Sequence, residues 1–362
     1  MSEIQPFHID VPDADLDDLR DRLRRTRFTG ELPPGQDPWE YGVPVDYVRD
    51  LVEHWRDGFD WRAVEARLNA YPQFTTEIDG QTIHFLHVRS PQAGAIPLIL
   101  THGWPNTFVE YVGLIAELTA GGFDVVIPSL PGFAFSGPTR ERGWNAERTA
   151  AAWGELMRRL GYDRYGVHGN DAGAIVAPIQ GRLSREHVIG VHVTQIFSFP
   201  SGDPGEMEGI SPEDLQYLQF LQSFVSHAVH DKVQEEQPQT IAHALADSPA
   251  GQLAWSGQLF GDALSKDDIL TNATIYWITN TAASAARFYY ENKRMKPDTE
   301  PTTVPMGLAS FAYDFRPLRR FAERDHANIV SWNEYDRGSH WSAHDAPDLL
   351  VADIMEFFRE LR

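Results

Sequence analysis

An aspartate occupies the central position of residues 169–173, Gly-Asn-Asp-Ala-Gly. This segment follows a short apolar run and precedes a stretch, 174–183, that can form a helix. Small residues on both sides of the central position allow the sharp strand-to-helix turn of a nucleophile elbow, which presents its central side chain at the helix N-terminus. Asp171 is therefore a candidate nucleophile, in the place where esterases and lipases carry serine. The same residue types also form ordinary surface turns.

A second motif, His-Gly-Trp-Pro at 102–105, directly follows another apolar run of strand length. In an α/β-hydrolase the loop at this place supplies one backbone N–H of the oxyanion hole, and the residue after the nucleophile supplies the other. The predicted donors are the amides of Trp104 and Ala172. The rest of the predicted oxyanion loop is His102, Gly103 and Pro105. Taken alone, His102 could equally be a core histidine that caps a turn.

A histidine and a carboxylate further along the chain are candidates for the partners of the nucleophile. His340 lies between the last apolar run and the last amphipathic stretch, which is the place of the histidine in the order nucleophile, acid, histidine. The acid should follow another strand, and Asp314 comes shortly after the apolar run 304–311. Asp325 and Asp336 are the alternatives for this role.

Composition excludes several other chemistries. The chain has 362 residues, no cysteine and a formal net charge of −21. Without cysteine there are no disulfides, thiolate metal sites or cysteine nucleophiles. The acidic excess disfavours binding to nucleic acid and to anionic membranes. His344 and Asp345 lie near His340, but no third ligand is evident, so we expect no metal and no other cofactor.

The start of the chain indicates where the protein acts. Residues 1–16 lack the basic start and the apolar core of a signal peptide. The longest apolar runs have the length of strands and fall short of the ~18 residues that suggest a membrane span. We therefore expect a cytoplasmic protein without a membrane anchor.

The elements that would carry these residues are short strands that alternate with helices. Asp-Gly at 79–80, between two strand patterns, predicts a two-residue hairpin turn. Buried strands are predicted at 97–101, 123–127, 165–168, 188–194, 304–311 and 329–335. Helical patterns such as 147–160 and 348–361 separate several of them, which favours a mostly parallel sheet covered on both faces.

Two regions depart from this alternation. The N-terminal segment contains short amphipathic helical patterns that would hardly fold alone, so we expect it to pack on the core. Between about 200 and 297 no strand pattern occurs, which predicts a helical lid over the carboxyl ends of the strands. The predicted division is 1–92 for the N-terminal extension, 93–199 and 298–362 for the core, and 200–297 for the lid.

Several further segments resemble one family. They are 59–62, 68–74 and 83–88 near the N-terminus, 131–136 after the oxyanion loop, and 276–277 and 287–292 in the lid. Over nearly the whole chain they resemble the epoxide hydrolases of the microsomal type, in the α/β-hydrolase superfamily. This resemblance implies an α/β-hydrolase fold with a mostly parallel central sheet, a helical lid insertion and an N-terminal helical and meander extension. We expect no counterpart of the membrane anchor that some relatives carry.

The resemblance also implies roles for lid and loop residues. Tyr289 matches an acid tyrosine, and Asp314 takes the place of a relay carboxylate that is usually glutamate in this family. A second lid tyrosine usually stands some eight residues before a Pro-x-Thr segment; here that segment is 238–240, and the position holds His230. A histidine can still donate a hydrogen bond, so Tyr289 and His230 could together hold the epoxide oxygen. Otherwise the match of 238–240 to the family's Pro-x-Thr segment is shifted along the chain, or Tyr289 acts alone.

The implied reaction is hydrolysis of an epoxide to a vicinal diol. Asp171 would attack an epoxide carbon while Tyr289 protonates the leaving oxygen, and His340 would then activate water to hydrolyse the ester. The expected partners are an epoxide and water, with no nucleic acid and no membrane. The oligomeric state stays open, a homodimer included.

Two alternative functions remain. A haloalkane or haloacid dehalogenase shares the aspartate and the histidine, but halide release favours an indole directly after the nucleophile, where this chain has Ala172. A noncatalytic ligand-binding protein on the same scaffold would have no reason to keep these catalytic residue types together.

Overall fold

A computed structural model describes residues 3–33, 35, 37–261, 263–296 and 300–361, with only the backbone of 204 and 224–227. Its strands are β1 (Gln5–Phe7), β2 (Gln73–Ile78), β3 (Gln81–Val88), β4 (Ile96–Thr101), β5 (Phe123–Pro128), β6 (Tyr165–Gly169), β7 (Val188–Val193), β8 (Met306–Ser310) and β9 (Ile329–Glu334). Its helices are α1 (Asp13–Arg24), α2 (Val45–Asp57), α3 (Trp61–Asn69), α4 (Ile115–Ala120), α5 (Ala146–Arg159), α6 (Ala172–Leu183), α7 (Pro212–His227), α8 (Val229–Glu236), α9 (Pro238–Asp247), α10 (Pro249–Gly257), α11 (Lys266–Thr279), α12 (Ala282–Lys293), α13 (Arg319–Asp325), α14 (Ser342–Asp345) and α15 (Pro347–Glu360). Short 3₁₀ helices cover Phe108–Leu114, Ala134–Ser136 and Pro204–Met207.

The strands form one sheet in the order β1-β2-β3-β5-β4-β6-β7-β8-β9. The first three strands and β5 pair antiparallel, and every pair from β5 to β9 is parallel. The predicted hairpin joins β2 and β3, where Asp79 and Gly80 both have the positive φ that such a turn requires. The predicted fold class, a mostly parallel sheet with an N-terminal meander, is confirmed.

The sheet order determines where the chemistry-bearing loops meet. Strands β4, β6, β7, β8 and β9 are consecutive neighbours and run parallel, so the loops after their carboxyl ends lie along one edge of the sheet. The loop after β4 contains the His-Gly-Trp-Pro motif, and Asp171 follows β6. Asp314 and His340 come after β8 and β9. Residues far apart in sequence are thereby placed side by side.

The N-terminal segment packs against the rest of the chain through apolar side chains. Helix α1 buries Leu19 and Leu23, and α2 buries Trp55, in a cluster that also contains Phe260 and Trp341. The indole N–H of Trp55 donates to the hydroxyl of Thr274, which is also buried. Because short amphipathic helices are marginal alone, this burial accounts for their stability.

Between β7 and β8 the described residues form helices α7 to α12 and no strand. The proposed boundary between lid and core, at 297–298, lies outside the described residues, and the domain limits stay predictions. Across the described part of the chain, no helix combines the length and apolar character needed to cross a bilayer.

One strand differs from its prediction. The run 329–335 was expected to be buried, but every residue of β9 is at least partly exposed. The reason is its place at the end of the sheet order, where a strand has a neighbour on one side only. Strand β1 was not predicted, because three residues give too little periodicity.

Candidate active site

Asp171 lies at a sharp turn between the end of β6 and the start of α6. Its backbone has φ 53° and ψ −120°, a conformation that L-residues rarely adopt and that recurs at functional sites. The turn depends on Gly173, because a Cβ there would lie 1.8 Å from the carbonyl oxygen of Thr101. The structure therefore places Asp171 in the geometry expected of a nucleophile elbow.

The carboxylate of Asp171 contacts the oxyanion loop. The backbone N–H of Trp104 donates to Asp171 Oδ1 at 2.9 Å. The backbone amide of Ala172 also stabilises the ionised form of Asp171 and so lowers its pKa. This approach requires Gly103, since a Cβ there would lie 2.1 Å from the same Oδ1 atom. Pro105 follows in the same buried loop. The two predicted donors thus both act on the side chain of Asp171.

His102 holds this loop in place and does not reach the carboxylate. The ring is fully buried; Nδ1 lies 2.9 Å from the carbonyl oxygen of Gly103, and Nε2 accepts from the backbone N–H of Leu130 at 3.1 Å. Burial lowers the pKa of His102 to about 4, so the ring is neutral at pH 7. Its contacts are those of a histidine that caps a turn.

His340 lies between two carboxylates. Nδ1 is 3.0 Å from Asp314 Oδ1, and Nε2 is 3.5 Å from Asp171 Oδ2. The alternative acids do not make this contact: Asp325 pairs with Arg324, and Asp314 alone is found on Nδ1 of His340 among the described residues. The arrangement is that of a nucleophile, a histidine and an orienting acid.

The charges of this trio reinforce one another. Burial by itself would lower the pKa of His340, but the carboxylates of Asp314 and Asp171 outweigh it and raise that pKa well above its usual value. Burial would raise the pKa of Asp171, but His340 and the amides of Trp104 and Ala172 outweigh it and lower that pKa. At neutral pH the site therefore holds an ionised Asp171 beside a protonated His340.

The two lid residues predicted from the resemblance both contact the ring of Trp104. Tyr289 on α12 meets it nearly perpendicularly, with 5.9 Å between ring centroids, and His230 on α8 stacks on it at 5.5 Å. Burial and the nearby charge of Asp171 raise the pKa of Tyr289 well above 10, so its hydroxyl stays protonated. Burial lowers the pKa of His230, which leaves a neutral ring with one N–H.

Sequence reasoning missed three polar residues behind the nucleophile: Asn170, Gln195 and Glu110. Asn170 is the residue before Asp171, and its place within the elbow motif was a usable signal. Gln195 follows β7, in a segment without a recognisable motif. Glu110 lies in a 3₁₀ helix, and no local pattern pointed to it. All three are buried.

The residues described hold no group of three histidine, aspartate or glutamate side chains that could bind a metal ion. His344 Nε2 lies 3.2 Å from the side-chain nitrogen of Asn106, and Asp345 accepts from the backbone N–H of Ser339. These two residues, considered above as metal ligands with His340, therefore have structural partners.

Comparison with known proteins gives a consistent picture. The family described as "Epoxide hydrolase N terminus" matches residues 4–111, and the family described as "alpha/beta hydrolase fold" matches residues 96–278. A protein of Stigmatella aurantiaca named as an epoxide hydrolase is 41% identical, over 99% of this chain and 86% of its own. Epoxide hydrolase 1 of Sus scrofa is 31% identical, over 98% and 88%. The structure of Aspergillus niger epoxide hydrolase is 29% identical, with a TM-score of 0.86 over 99% of this chain and 97% of that one.

Proposed function

The chain belongs to the epoxide hydrolases of the microsomal type, and we propose that it opens its substrate by direct attack of Asp171 on an epoxide carbon. An epoxide hydrolase takes an epoxide and water as substrates, so the dehalogenase and noncatalytic alternatives are set aside.

The two oxygens of Asp171 have different surroundings, which assigns their roles. Oδ1 accepts the hydrogen bond from Trp104, while Oδ2 faces His340. Oδ2 is the attacking atom in this proposal, and Oδ1 becomes the carbonyl oxygen of the ester. That carbonyl is then already in the oxyanion hole when the ester is hydrolysed.

In the first step a bond forms between Asp171 Oδ2 and one epoxide carbon as the bond from that carbon to the ring oxygen breaks. The opening oxygen takes a proton from Tyr289, and His230 donates a hydrogen bond to the same oxygen. Both lid side chains contact the indole of Trp104, whose backbone N–H donates to Asp171, and the charge of Asp171 acts on both of them. These contacts support their assignment as donors. A protonated tyrosine is required here because an alkoxide is a poor leaving group.

Ester formation changes the charge around His340. The negative charge of Asp171 disappears, so His340 loses one of the two carboxylates that raise its pKa. We expect His340 to release its proton at this stage, and this proton restores the hydroxyl of Tyr289 through the solvent. The neutral imidazole, oriented by Asp314, can then act as a base.

In the second step His340 takes a proton from water, which attacks the ester carbonyl. The resulting oxyanion at Oδ1 receives hydrogen bonds from Trp104 and Ala172. Collapse of this intermediate breaks the bond from the carbonyl carbon to the diol oxygen, which takes a proton from His340 as the diol leaves. The acid of Asp171, which now contains the oxygen of the water, then returns its proton to His340 and restores the starting state.

The contact between Asp171 and both the oxyanion loop and His340 is the observation that carries this proposal. A single turnover in ¹⁸O-labelled water, followed by peptide mass spectrometry, tests it. The label is expected in the side chain of Asp171 and not in the first diol released. Label found in that diol would instead mean direct attack of water on the epoxide.

A further inference from the structure

Gln195 joins the nucleophile to the relay acid. Its side chain is fully buried two residues after the end of β7, and its Oε1 accepts from the backbone N–H of Asp171 at 2.8 Å. Its Nε2 donates to Asp314 Oδ2 and also to Asn170 Oδ1, the latter at 2.7 Å. One amide therefore contacts the elbow backbone and the carboxylate that orients His340.

Asn170 extends this contact to the histidine loop. Its Nδ2 donates to the backbone carbonyl oxygen of His340 at 3.1 Å and to Glu110 Oε1 at 2.8 Å. Its Oδ1 accepts from Gln195 and from the hydroxyl of Thr194. The amide of Asn170 thus uses both donor hydrogens and both acceptor sites, all in a buried place.

From these contacts we infer that Gln195 and Asn170 are positioning residues that hold the nucleophile, the relay acid and the histidine in register for ester hydrolysis. The inference rests on the roles proposed above for Asp171, Asp314 and His340. The three catalytic side chains come from three separate loops, and misplacement by even about 1 Å can cost on the order of a hundredfold in rate. The two amides connect all three loops directly.

Hydrolysis of the ester should depend on the contacts of Gln195 and Asn170 more than attack on the epoxide does. Attack on the epoxide needs only an ionised Asp171 and a proton donor on the lid. Hydrolysis also needs His340. The donor from Gln195 holds Asp314 Oδ2, while Oδ1 contacts the Nδ1 atom of His340 and accepts from the backbone N–H of Phe315. Without the Gln195 donor the carboxylate of Asp314 is held less firmly toward His340.

The first test compares Gln195→Met with Gln73→Met. Gln73 is a buried glutamine at a comparable level of exposure, with hydrogen bonds to Leu68 and His84 and no contact to the catalytic groups. Pre-steady-state mixing with an epoxide should show that Gln195→Met slows ester hydrolysis about tenfold, the loss typical of one hydrogen bond to a charged group, and slows alkylation less. Gln73→Met should lower the melting temperature without changing either rate.

A second test uses the pH dependence of hydrolysis in Gln195→Glu. The titratable and charged groups near His340 are Asp314, Asp171 (an ester at this stage), Glu110 on the 3₁₀ helix and His230 on α8. A further carboxylate beside Asp314 favours protonated His340. Because hydrolysis needs neutral His340, its acid limb should move to higher pH.

The outcomes distinguish a failure of the proposed function from a failure of the positioning role inferred for Gln195 and Asn170. If wild-type protein forms no ester on Asp171, the proposed function fails, whatever the variants do. If the ester forms and Gln195→Met hydrolyses it at the wild-type rate, or Gln195→Glu leaves the pH profile unmoved, Gln195 is structural only and the inference is overturned. Asn170→Ala, which removes the bond to the His340 loop, should slow hydrolysis in the same way.

Discussion

The Nε2 atom of His340 lies 3.5 Å from Oδ2 of Asp171, the oxygen that is not held by the oxyanion loop. Each group alters the other: the carboxylate contributes to the raised pKa of His340, and His340 contributes to the lowered pKa of Asp171. In the proposed mechanism the pair therefore changes state when Asp171 becomes an ester. His340 would then go from a protonated partner of a carboxylate to a neutral base.

The first prediction concerns His340→Gln, which removes the base and leaves the nucleophile. Alkylation should continue and hydrolysis should stop, so the ester should accumulate to one equivalent. Intact-mass spectrometry after mixing with an epoxide should show the protein mass increased by one substrate mass. The control Asp171→Asn/His340→Gln should show no adduct, and an adduct in that control would place the ester elsewhere.

The second prediction concerns pH. The pKa of Asp171 is lowered, so Asp171 stays ionised and alkylation persists as pH falls from neutral into the acidic range. Hydrolysis requires neutral His340 and should decline over the same range. In single-turnover experiments the fraction of protein held as ester should rise toward acidic pH. A parallel decline of both steps would contradict the assignment of His340 to hydrolysis alone.

The third prediction separates the lid donors. Tyr289→Phe removes the proton donor and should slow alkylation by roughly a hundredfold or more, while hydrolysis of a preformed ester changes little. His230→Phe keeps the stacking on Trp104 and removes one N–H, so its effect on alkylation should be smaller. His230→Tyr is the matched variant that restores a donor. Equal slowing of both steps in Tyr289→Phe would show that Tyr289 is not the acid.

The fourth prediction concerns Gly103→Ala, because a methyl group there would lie 2.1 Å from Asp171 Oδ1. The carboxylate would have to leave the amide of Trp104, and loss of one oxyanion donor typically costs 10²- to 10³-fold. Steady-state turnover of an epoxide should fall by about this factor. Gly113→Ala is the control, since nothing lies within 4 Å of a Cβ at that position. Similar losses in both variants would indicate general damage to the loop.

The fifth prediction concerns the buried carboxyl of Glu110. Burial raises its pKa to about 8, and its Oε2 atom has no hydrogen-bond partner among the described residues. A carboxyl whose pKa is raised in the folded state costs nothing below its unfolded pKa and destabilises the fold as pH rises toward the folded value. Glu110→Gln keeps the shape without this ionisation. It should therefore melt close to wild type at acidic pH and roughly 2 °C or more above it near pH 8.

Thermal unfolding followed by circular dichroism at the two pH values checks this expectation. Glu117→Gln is a suitable control, because Glu117 is exposed on the surface of α4. A Glu110→Gln difference of the same size at both pH values would mean that packing, and not ionisation, sets the effect.

The sequence alone determined the residues whose signal is local. A nucleophile elbow, a loop after a strand and a hairpin turn each depend on a few consecutive residues, so Asp171, Trp104 and the turn at 79–80 could be recognised from their neighbours. The order nucleophile, acid, histidine along the chain then indicated His340, and it favoured Asp314 as the acid while Asp325 and Asp336 stayed open. Tyr289 and His230 came from family resemblance, because nothing in their spacing alone indicates a proton donor.

Only the tertiary structure decided which buried polar residues contact the site and which strand is exposed. Both depend on which strands are neighbours and on how helices cross the sheet edge. Gln195 reaches Asp171 and Asp314 only because β7 lies between β6 and β8 in the sheet. The exposure of β9 likewise follows from its place at the edge. Contacts between residues far apart in sequence leave no local periodicity, so amides such as Gln195 look like any buried polar side chain until the strands are placed.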